Sequence, residues 1–292
     1  MGTPSSMVSM SRLLCLLVRS PSARSRAGEG TVRPMASPDR VAAVLEPFVR
    51  RPERAAVVTD FDGTLAPIVT DPAAARPLAV VPDLLRRLAA RFARVAVVSG
   101  RPAAFLLDHL GAGGVSLHGI YGLEAVDRDG RVVANADAAS WAPVVADVAE
   151  RGRLRAPAGV TVEPKGLSLT LHFRGSPSAD DEARAWVEAE AARTGLVVHA
   201  GRRSYELRPP VPLDKGTVVE ELGAGLDAVC FAGDDVGDLA AFDALDRLAR
   251  RGACALRVGV RSAEAPDELL ERADIVVEGP EGAVALLERL VV

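Results

Sequence analysis

Lysine is nearly missing from this chain. Of 35 basic residues only Lys165 and Lys215 are lysine; the rest are arginine. A planar guanidinium does not replace a compact ammonium where a point charge is wanted, so composition alone makes the two lysines candidate ligand contacts. Aromatic residues are scarce, at 4%, which leaves no stacking platform for bases. There is no basic excess either. The formal net charge is −4, which offers no footprint for nucleic acid or an anionic membrane. The three cysteines, Cys15, Cys230 and Cys254, fit no metal spacing and cannot all pair, so reduced thiols and a cytoplasmic location are expected. The longest apolar run near the start, residues 13–18, is too short to span a membrane. It is marginal as a signal-peptide core, with no basic residue before Arg12.

What is present is ordinary globular composition in 292 residues, enough for two modest domains. Residues 1–36 carry five arginines against one acid and read as a disordered extension, with Met35 as an alternative initiator. Beyond them, short apolar β-branched runs alternate with helical patterns. Strands are expected at 55–59, 95–98, 115–118, 228–232, 253–258 and 275–277, with helices at 38–50, 81–92, 215–222, 237–250, 266–272 and 282–290. The middle of the chain reads differently: helices at 140–151 and 179–193, the second strongly amphipathic, and hairpins around 164–166 and 201–203. The fold class is therefore α/β, a Rossmann-like parallel-sheet core with an inserted α+β module. The expected division is core over 37–134 and 209–292 and insert over 135–208.

The most telling stretch is Val57-Val58-Thr59-Asp60-Phe61-Asp62-Gly63-Thr64-Leu65. A buried strand runs out in two aspartates, at the end of an open α/β sheet where ligands bind. Positions i and i+2 of an extended chain point the same way, so Asp60 and Asp62 can address one small volume. Crowded carboxylates repel, and Mg²⁺ is the hard, oxygen-seeking ion that relieves the cost. An aspartate neutralised by metal can attack phosphorus. A helix cap or Asx turn is the competing reading of a lone Asp-x-Asp.

Three further signals follow in order. Ser99 and Gly100 end the second strand, offering a hydroxyl and backbone N–H groups to a phosphate oxygen, although Ser99 could instead cap the next helix. Lys215 opens a helix, where it opposes the dipole; an ammonium aimed at a phosphoryl oxygen explains it. A second apolar strand ends in Gly233-Asp234-Asp235-Val236-Gly237-Asp238, where Asp234 and Asp238, four apart, share a face on a helical start.

These four motifs together resemble the haloacid dehalogenase superfamily of phosphatases and phosphotransferases. The resemblance implies Asp60 as nucleophile, Asp62 as general acid and base, and Thr64, Ser99 and Gly100 around the phosphoryl group. Lys215 would hold nucleophile and phosphate together. Mg²⁺ would sit on the Asp60 carboxylate, the Asp62 backbone carbonyl and Asp234, with Asp238 a ligand or an acid supporting one and Asp235 a further candidate. The insert lies between the second and third motifs, where this superfamily places its larger, type-2 caps.

Substrate choice must come from that insert. Glu163, Lys165, His172, Arg174 and Glu206 cluster in its hairpins, and carboxylates with an ammonium suit sugar hydroxyls. Here the sequence is similar to the trehalose-6-phosphate phosphatase family over about residues 52–278. The likeness is carried by the first motif, by Leu117-His118-Gly119 followed by Gly122-Leu123-Glu124, and by Glu163-Pro164-Lys165-Gly166. It continues in Leu171-His172-Phe173-Arg174, Tyr205-Glu206-Leu207-Arg208-Pro209 and Asp214-Lys215-Gly216-Thr217. The family's sugar-reading residues map onto Glu163, Lys165 and Glu206, with His172 and Arg174 as further candidates. The resemblance implies hydrolysis of trehalose 6-phosphate through an aspartyl-phosphate, by a monomer with possible functional coupling to a trehalose-phosphate synthase. A phosphatase for sucrose phosphate or mannosylglycerate phosphate is the alternative. A non-catalytic sensor is another, against which the intact acids and Lys215 stand. Two departures stand out. Gly237-Asp238-Leu239 replaces the family's Thr-Asp-Glu, and Leu117 precedes His118-Gly119 in place of serine.

Overall fold

Five residues, Ala55–Thr59, form β1, and all five are buried. Their alternation divides them between two apolar layers. Ala55 and Val57 face a cluster with Leu45, Phe48, Leu84, Leu106 and Leu287, whereas Ala56 and Val58 face one with Val219, Phe231, Phe242 and Leu245. A strand covered on both faces has no polar side to show, which is why it reads as a continuous apolar run. The computed structural model describes residues 38–291 apart from 70, 202, 263 and 264. The expectation for residues 1–36 therefore lies outside the described residues.

An eight-stranded sheet runs β12-β11-β10-β1-β2-β3-β4-β5. Its strands are β1, β2 (Arg94–Val98), β3 (Ser116–Gly119), β4 (Glu124–Val126), β5 (Val132–Ala134), β10 (Ala228–Gly233), β11 (Cys254–Arg261) and β12 (Ile275–Glu278). The pairs from β12 to β3 are parallel, whereas β4 and β5 add an antiparallel edge through a turn at Asp127 and Gly130. That hairpin extends the core sheet. Helices α1 (Pro38–Arg50), α2 (Val81–Ala89), α3 (Ala103–Leu110) and α10 (Gly279–Glu288) cover one face. Helices α7 (Lys215–Gly223), α8 (Leu239–Arg250) and α9 (Asp267–Arg272) cover the other. Fully burying one such Leu, Val or Phe side chain contributes roughly 1.5–3 kcal/mol.

Between β5 and α7 the chain builds a second, antiparallel sheet in the order β6-β7-β9-β8. Its strands are β6 (Thr161–Pro164), β7 (Leu169–His172), β8 (Val197–Gly201) and β9 (Ser204–Arg208). Helices α4 (Ala136–Ala139), α5 (Ala142–Arg155) and α6 (Asp180–Thr194) accompany it. One face of this sheet is apolar: Leu169, Leu171, Tyr205 and Leu207 pack with Val145, Val148, Ala183 and Val187 of α5 and α6. Helix α6 is less amphipathic than its sequence suggests. Its buried stripe is Ala183, Val187 and Glu190, and Glu190 is held by Arg151 and Arg193 at 2.7–3.2 Å.

The opposite face carries the polar row. Register pairs Glu163 with Thr170 and Thr170 with Glu206, and pairs His199 with Glu206. Directly opposed residues project to one side of a sheet. Glu163 and Glu206, one from each hairpin, thus fall in one line through Thr170.

Candidate active site

The site is assembled from the carboxyl ends of β1, β2, β3 and β10, which are hydrogen-bonded neighbours. The Asp60 N–H donates to the Ala232 carbonyl at 2.8 Å, carrying the ladder one residue past β1. Phe61 then accepts from Leu65 and Ala66 at 2.8 and 3.0 Å, closing a tight turn through Gly63, whose φ is 72°. A Cβ at Gly63 would lie 2.1 Å from the Asp234 carboxylate. Only glycine fits there: the turn needs positive φ, and the second acidic strand end presses against it.

Three carboxylates meet in this space. Asp60, Asp234 and Asp238 are buried, with oxygens all within 4.8 Å of one another. Lys215 lies among them, 1% exposed, its Nζ 2.9 Å from Asp60 and 2.6 Å from Asp238. Asp214 caps helix α7, accepting from the Thr217 N–H at 2.7 Å while the Thr217 hydroxyl answers the Asp214 N–H at 3.0 Å. That capping box fixes the helix start and with it the lysine.

The electrostatics follow from the crowding. Burial, then the charge of Asp238, pushes Asp234 up to about 8, against a hydrogen bond from Ser262. Burial also raises Asp60, against the pull of Lys215. Burial works against the charge of Lys215, but Asp235, Asp238 and Asp60 outweigh it and hold its pKa well above the usual value. Fully ionised, three buried carboxylates beside one ammonium would leave two negative charges without a partner in the cluster. An all-oxygen donor set with that deficit fits a hard divalent cation such as Mg²⁺.

The other expected residues divide. Thr64 Oγ1 lies 3.5 Å from Asp234, and Ser99 is buried, its hydroxyl accepting from the Arg101 N–H at 3.2 Å. Pro102, not Ser99, occupies the cap position of α3. Asp62 does not point into the carboxylate cluster. Arg101 holds both of its oxygens, Nε–Oδ2 at 2.8 Å and Nη2–Oδ1 at 2.7 Å. Asp235 accepts from the Asp238 N–H and caps the turn Val236–Asp238, with Lys215 Nζ at 3.8 Å. Asp238 accepts from Lys215 and from the N–H groups of Asp234 and Asp235, at 2.6–2.9 Å. Its oxygens thus hold the lysine and the loop in place.

Across the cleft stands the polar row of the second sheet. Glu206 is buried; Ser168 donates to its Oε1 at 2.7 Å, and Arg208 to its Oε2 at 2.8 and 3.0 Å. Burial raises its pKa, but Lys165, Arg208 and these hydrogen bonds prevail and hold it below the usual carboxylate range. Lys165 Nζ lies 3.7 Å from Glu206 and 3.9 Å from Glu163, between the two acids and within hydrogen-bond reach of neither. His172 pairs with Glu163 at 2.7 Å. Arg174 is exposed beyond the end of β7. Thr170, between the two acids in the row, is buried with its hydroxyl lacking a partner.

Sequence reasoning overlooked Arg101, Tyr121, Ser168, Arg208 and Ser262. Arg101 follows the Ser-Gly pair and Arg208 sits in the Tyr-Glu-Leu-Arg run, so both were adjacent to noted motifs. Tyr121 carried a weaker signal, a lone aromatic in a chain with few, and Ser262 carried none.

Residues 58–268 match the family model for trehalose-phosphatase. A trehalose-phosphate phosphatase of Mycolicibacterium paratuberculosis is 42% identical over 200 residues, covering 65% of this chain and 51% of that protein. The chain spans about half the length of such curated relatives. Among solved structures, the C-terminal domain of the C. albicans trehalose-6-phosphate phosphatase superposes with a TM-score of 0.70 at 25% identity, over 88% of this chain and 98% of that one. A haloacid dehalogenase-like hydrolase of Bacteroides thetaiotaomicron shares the fold at a TM-score of 0.55 and 16% identity, over 80% and 98% of the two chains. With the model covering most of the chain and the paired acidic strand ends in place, this chain belongs to the trehalose-phosphatase family, on the haloacid dehalogenase fold.

Proposed function

We propose that this chain is a Mg²⁺-dependent phosphatase that hydrolyses trehalose 6-phosphate to trehalose and phosphate. One observation carries the reading: Lys215 sits between Asp60 and Asp238, beside Asp234, at the ends of two adjacent strands. The row Glu163, Lys165 and Glu206 supports a sugar as the group that carries the phosphate.

Asp60 attacks phosphorus in line, forming an aspartyl-phosphate as the bond to the sugar oxygen breaks. Asp62 gives its proton to that oxygen. Water then attacks the same phosphorus, Asp62 takes the water's proton, and phosphate leaves with the Asp60 carboxylate restored. Arg101 holds both oxygens of Asp62; carrying a proton needs one of them, so this pair must yield a contact when substrate arrives. Lys215 neutralises Asp60 and faces the phosphoryl oxygens, with Thr64, Ser99 and the Gly100 amide completing their cradle. Mg²⁺, held by Asp60, the Asp62 carbonyl and Asp234, would supply charge neutralisation at the phosphoryl group. Residues 135–208 act as the cap over a core of 37–134 and 209–292, and Glu163, Lys165 and Glu206, with His172, read the sugar. Among the described residues no helix is long and apolar enough to cross a membrane, and a cytoplasmic monomer that receives its substrate from a separate synthase fits this reading.

The test is phosphate release from a panel of sugar phosphates, with Mg²⁺ and with chelator. Trehalose 6-phosphate should lead the panel by at least tenfold in kcat/KM and lose activity with chelator. A lead by sucrose phosphate or mannosylglycerate phosphate would replace the substrate; activity indifferent to chelator would remove the metal.

A further inference from the structure

Tyr121 has no place in the chemistry above, yet the chain holds it under strain where the two sheets face one another. Ile120 and Tyr121 have φ of 46° and 59°, a left-handed backbone that non-glycine residues seldom adopt. The Tyr121 N–H donates to the Ser99 carbonyl and the Ile120 N–H to the Arg101 carbonyl, both at 2.9 Å. The backbone of this turn is therefore tied to the loop that holds Ser99 and Gly100. The ring lies across that loop. A Cβ at Gly100 would be 2.5 Å from the phenol oxygen, and one at Gly237 would be 3.8 Å from the ring edge. Gly100 is thus required by the ring as much as by any phosphate. The contact with the second sheet is made by the face of the ring.

Its partner is Arg208, the last residue of β9. The Arg208 guanidinium carbon is 3.4 Å from the Tyr121 ring centroid, well within the range of cation–π attraction. The same guanidinium donates twice to Glu206 Oε2, while Ser168 holds Oε1. A planar fork held flat on a ring has its donor directions fixed. The direction of the Glu206 carboxylate is therefore set partly by a residue of the turn between β3 and β4.

We propose that Tyr121 is a positioning residue for substrate choice: its ring seats Arg208, which aims Glu206 at the sugar. Recognition is then completed only when the 135–208 module rests on the core. Free of Tyr121, Arg208 keeps its charge but not its plane, and Glu206 keeps its acidity but not its aim. This inference rests on the sugar-phosphatase reading, and the two can fail separately.

The measurement is kcat/KM on trehalose 6-phosphate and on an aryl phosphate for Tyr121→Leu, Tyr121→Phe, Glu206→Gln and the Tyr121→Leu/Glu206→Gln double variant. Tyr121→Leu should lower the sugar-to-aryl ratio about tenfold, the scale of a lost cation–π contact. Tyr121→Phe keeps the ring and should hold the ratio within about twofold. Because Tyr121 acts through Glu206, adding Tyr121→Leu to Glu206→Gln should cost less than about twofold more. Equal losses on both substrates, a Tyr121→Phe as damaging as Tyr121→Leu, or fully additive losses would each overturn the proposal. If Tyr121→Leu does not accumulate as folded protein, Tyr121→Met carries the same test: it keeps side-chain bulk and loses the ring face, and its ratio should fall without adding to Glu206→Gln. A wild type inactive on every sugar phosphate would overturn the substrate reading and this inference with it. A wild type active on trehalose 6-phosphate, with a sugar-to-aryl ratio unmoved by Tyr121→Leu, overturns the inference alone.

Discussion

Replacing Lys215 by arginine keeps the charge and tests whether geometry matters. The ammonium is 1% exposed and brings one nitrogen to 2.9 Å from Asp60 and 2.6 Å from Asp238. Two acceptors converge on a single donor atom. A guanidinium spreads its donors over a rigid plane and is larger, so it cannot satisfy both oxygens from that point. The hydrogen bond to Asp238 contributes about 1.5–3 kcal/mol, and the ion pair with Asp60 adds to it. If about 1.5–3 kcal/mol is felt in the transition state, turnover falls by roughly one to two powers of ten. The assay is initial-rate phosphate release with Mg²⁺ on trehalose 6-phosphate and on an aryl phosphate, with a thermal melt to show that the variant is folded. Both substrates should lose equally, because Lys215 serves the phosphoryl group they share. A folded Lys215→Arg within tenfold of wild type would refute the convergent-donor argument. Loss confined to the sugar phosphate would move Lys215 out of the phosphoryl site.

Asp60→Asn should abolish turnover while the chain stays folded, since an amide is a poor nucleophile; near-normal rates would remove Asp60 from the mechanism. Asp62→Asn should harm sugar-phosphate hydrolysis more than aryl-phosphate hydrolysis, whose leaving group needs less protonation; equal losses would argue against the acid role. Lys165→Ala should lower kcat/KM on trehalose 6-phosphate by roughly 10–100-fold, the loss of one charge-assisted hydrogen bond, and should affect a small aryl phosphate far less. A parallel fall would make Lys165 a support of the fold or of closure. Thr170→Val removes a buried hydroxyl that lacks a partner and should raise the free energy of unfolding by about 1 kcal/mol in a denaturant titration; destabilisation would show that the hydroxyl is satisfied in solution.

Much of this was legible because it depends on local rules. The run 55–65 announced a buried strand ending in acids, and β1 ends at Thr59 as read. The Asp214 cap and the glycine turns likewise follow from residue chemistry at short range. What the sequence hid depends on the third dimension. Equal spacing suggested that Asp60 and Asp62 share a volume, yet the turn after Phe61 sends one to Lys215 and the other to Arg101. Asp235 is a further ligand candidate by adjacency, and its place as the cap of a helical turn was not legible from that. Tyr121 could not be found by periodicity, because its place is set by positive φ and by a guanidinium 87 positions away in the chain. Helix α6 reads as strongly amphipathic, but its buried residues are only Ala183, Val187 and the ion-paired Glu190.

The pairing of β1 with β10 also dictates an order of events at synthesis. Ala55 meets Ala228, and Thr64 meets Asp234, 170 positions further along the chain. The second sheet, by contrast, is drawn from one continuous stretch, Thr161–Arg208. As the chain leaves the ribosome, residues 55–59 can pair on one edge with β2, which emerges soon after, while the other edge waits for β10. The later sheet can close first, since its loops are short and its contacts near in sequence. The waiting segment is the natural client for a chaperone and the natural start of aggregation. Truncation anywhere before Gly233 leaves β1 without part of its neighbour β10, so an incomplete chain carries its own nucleating strand exposed.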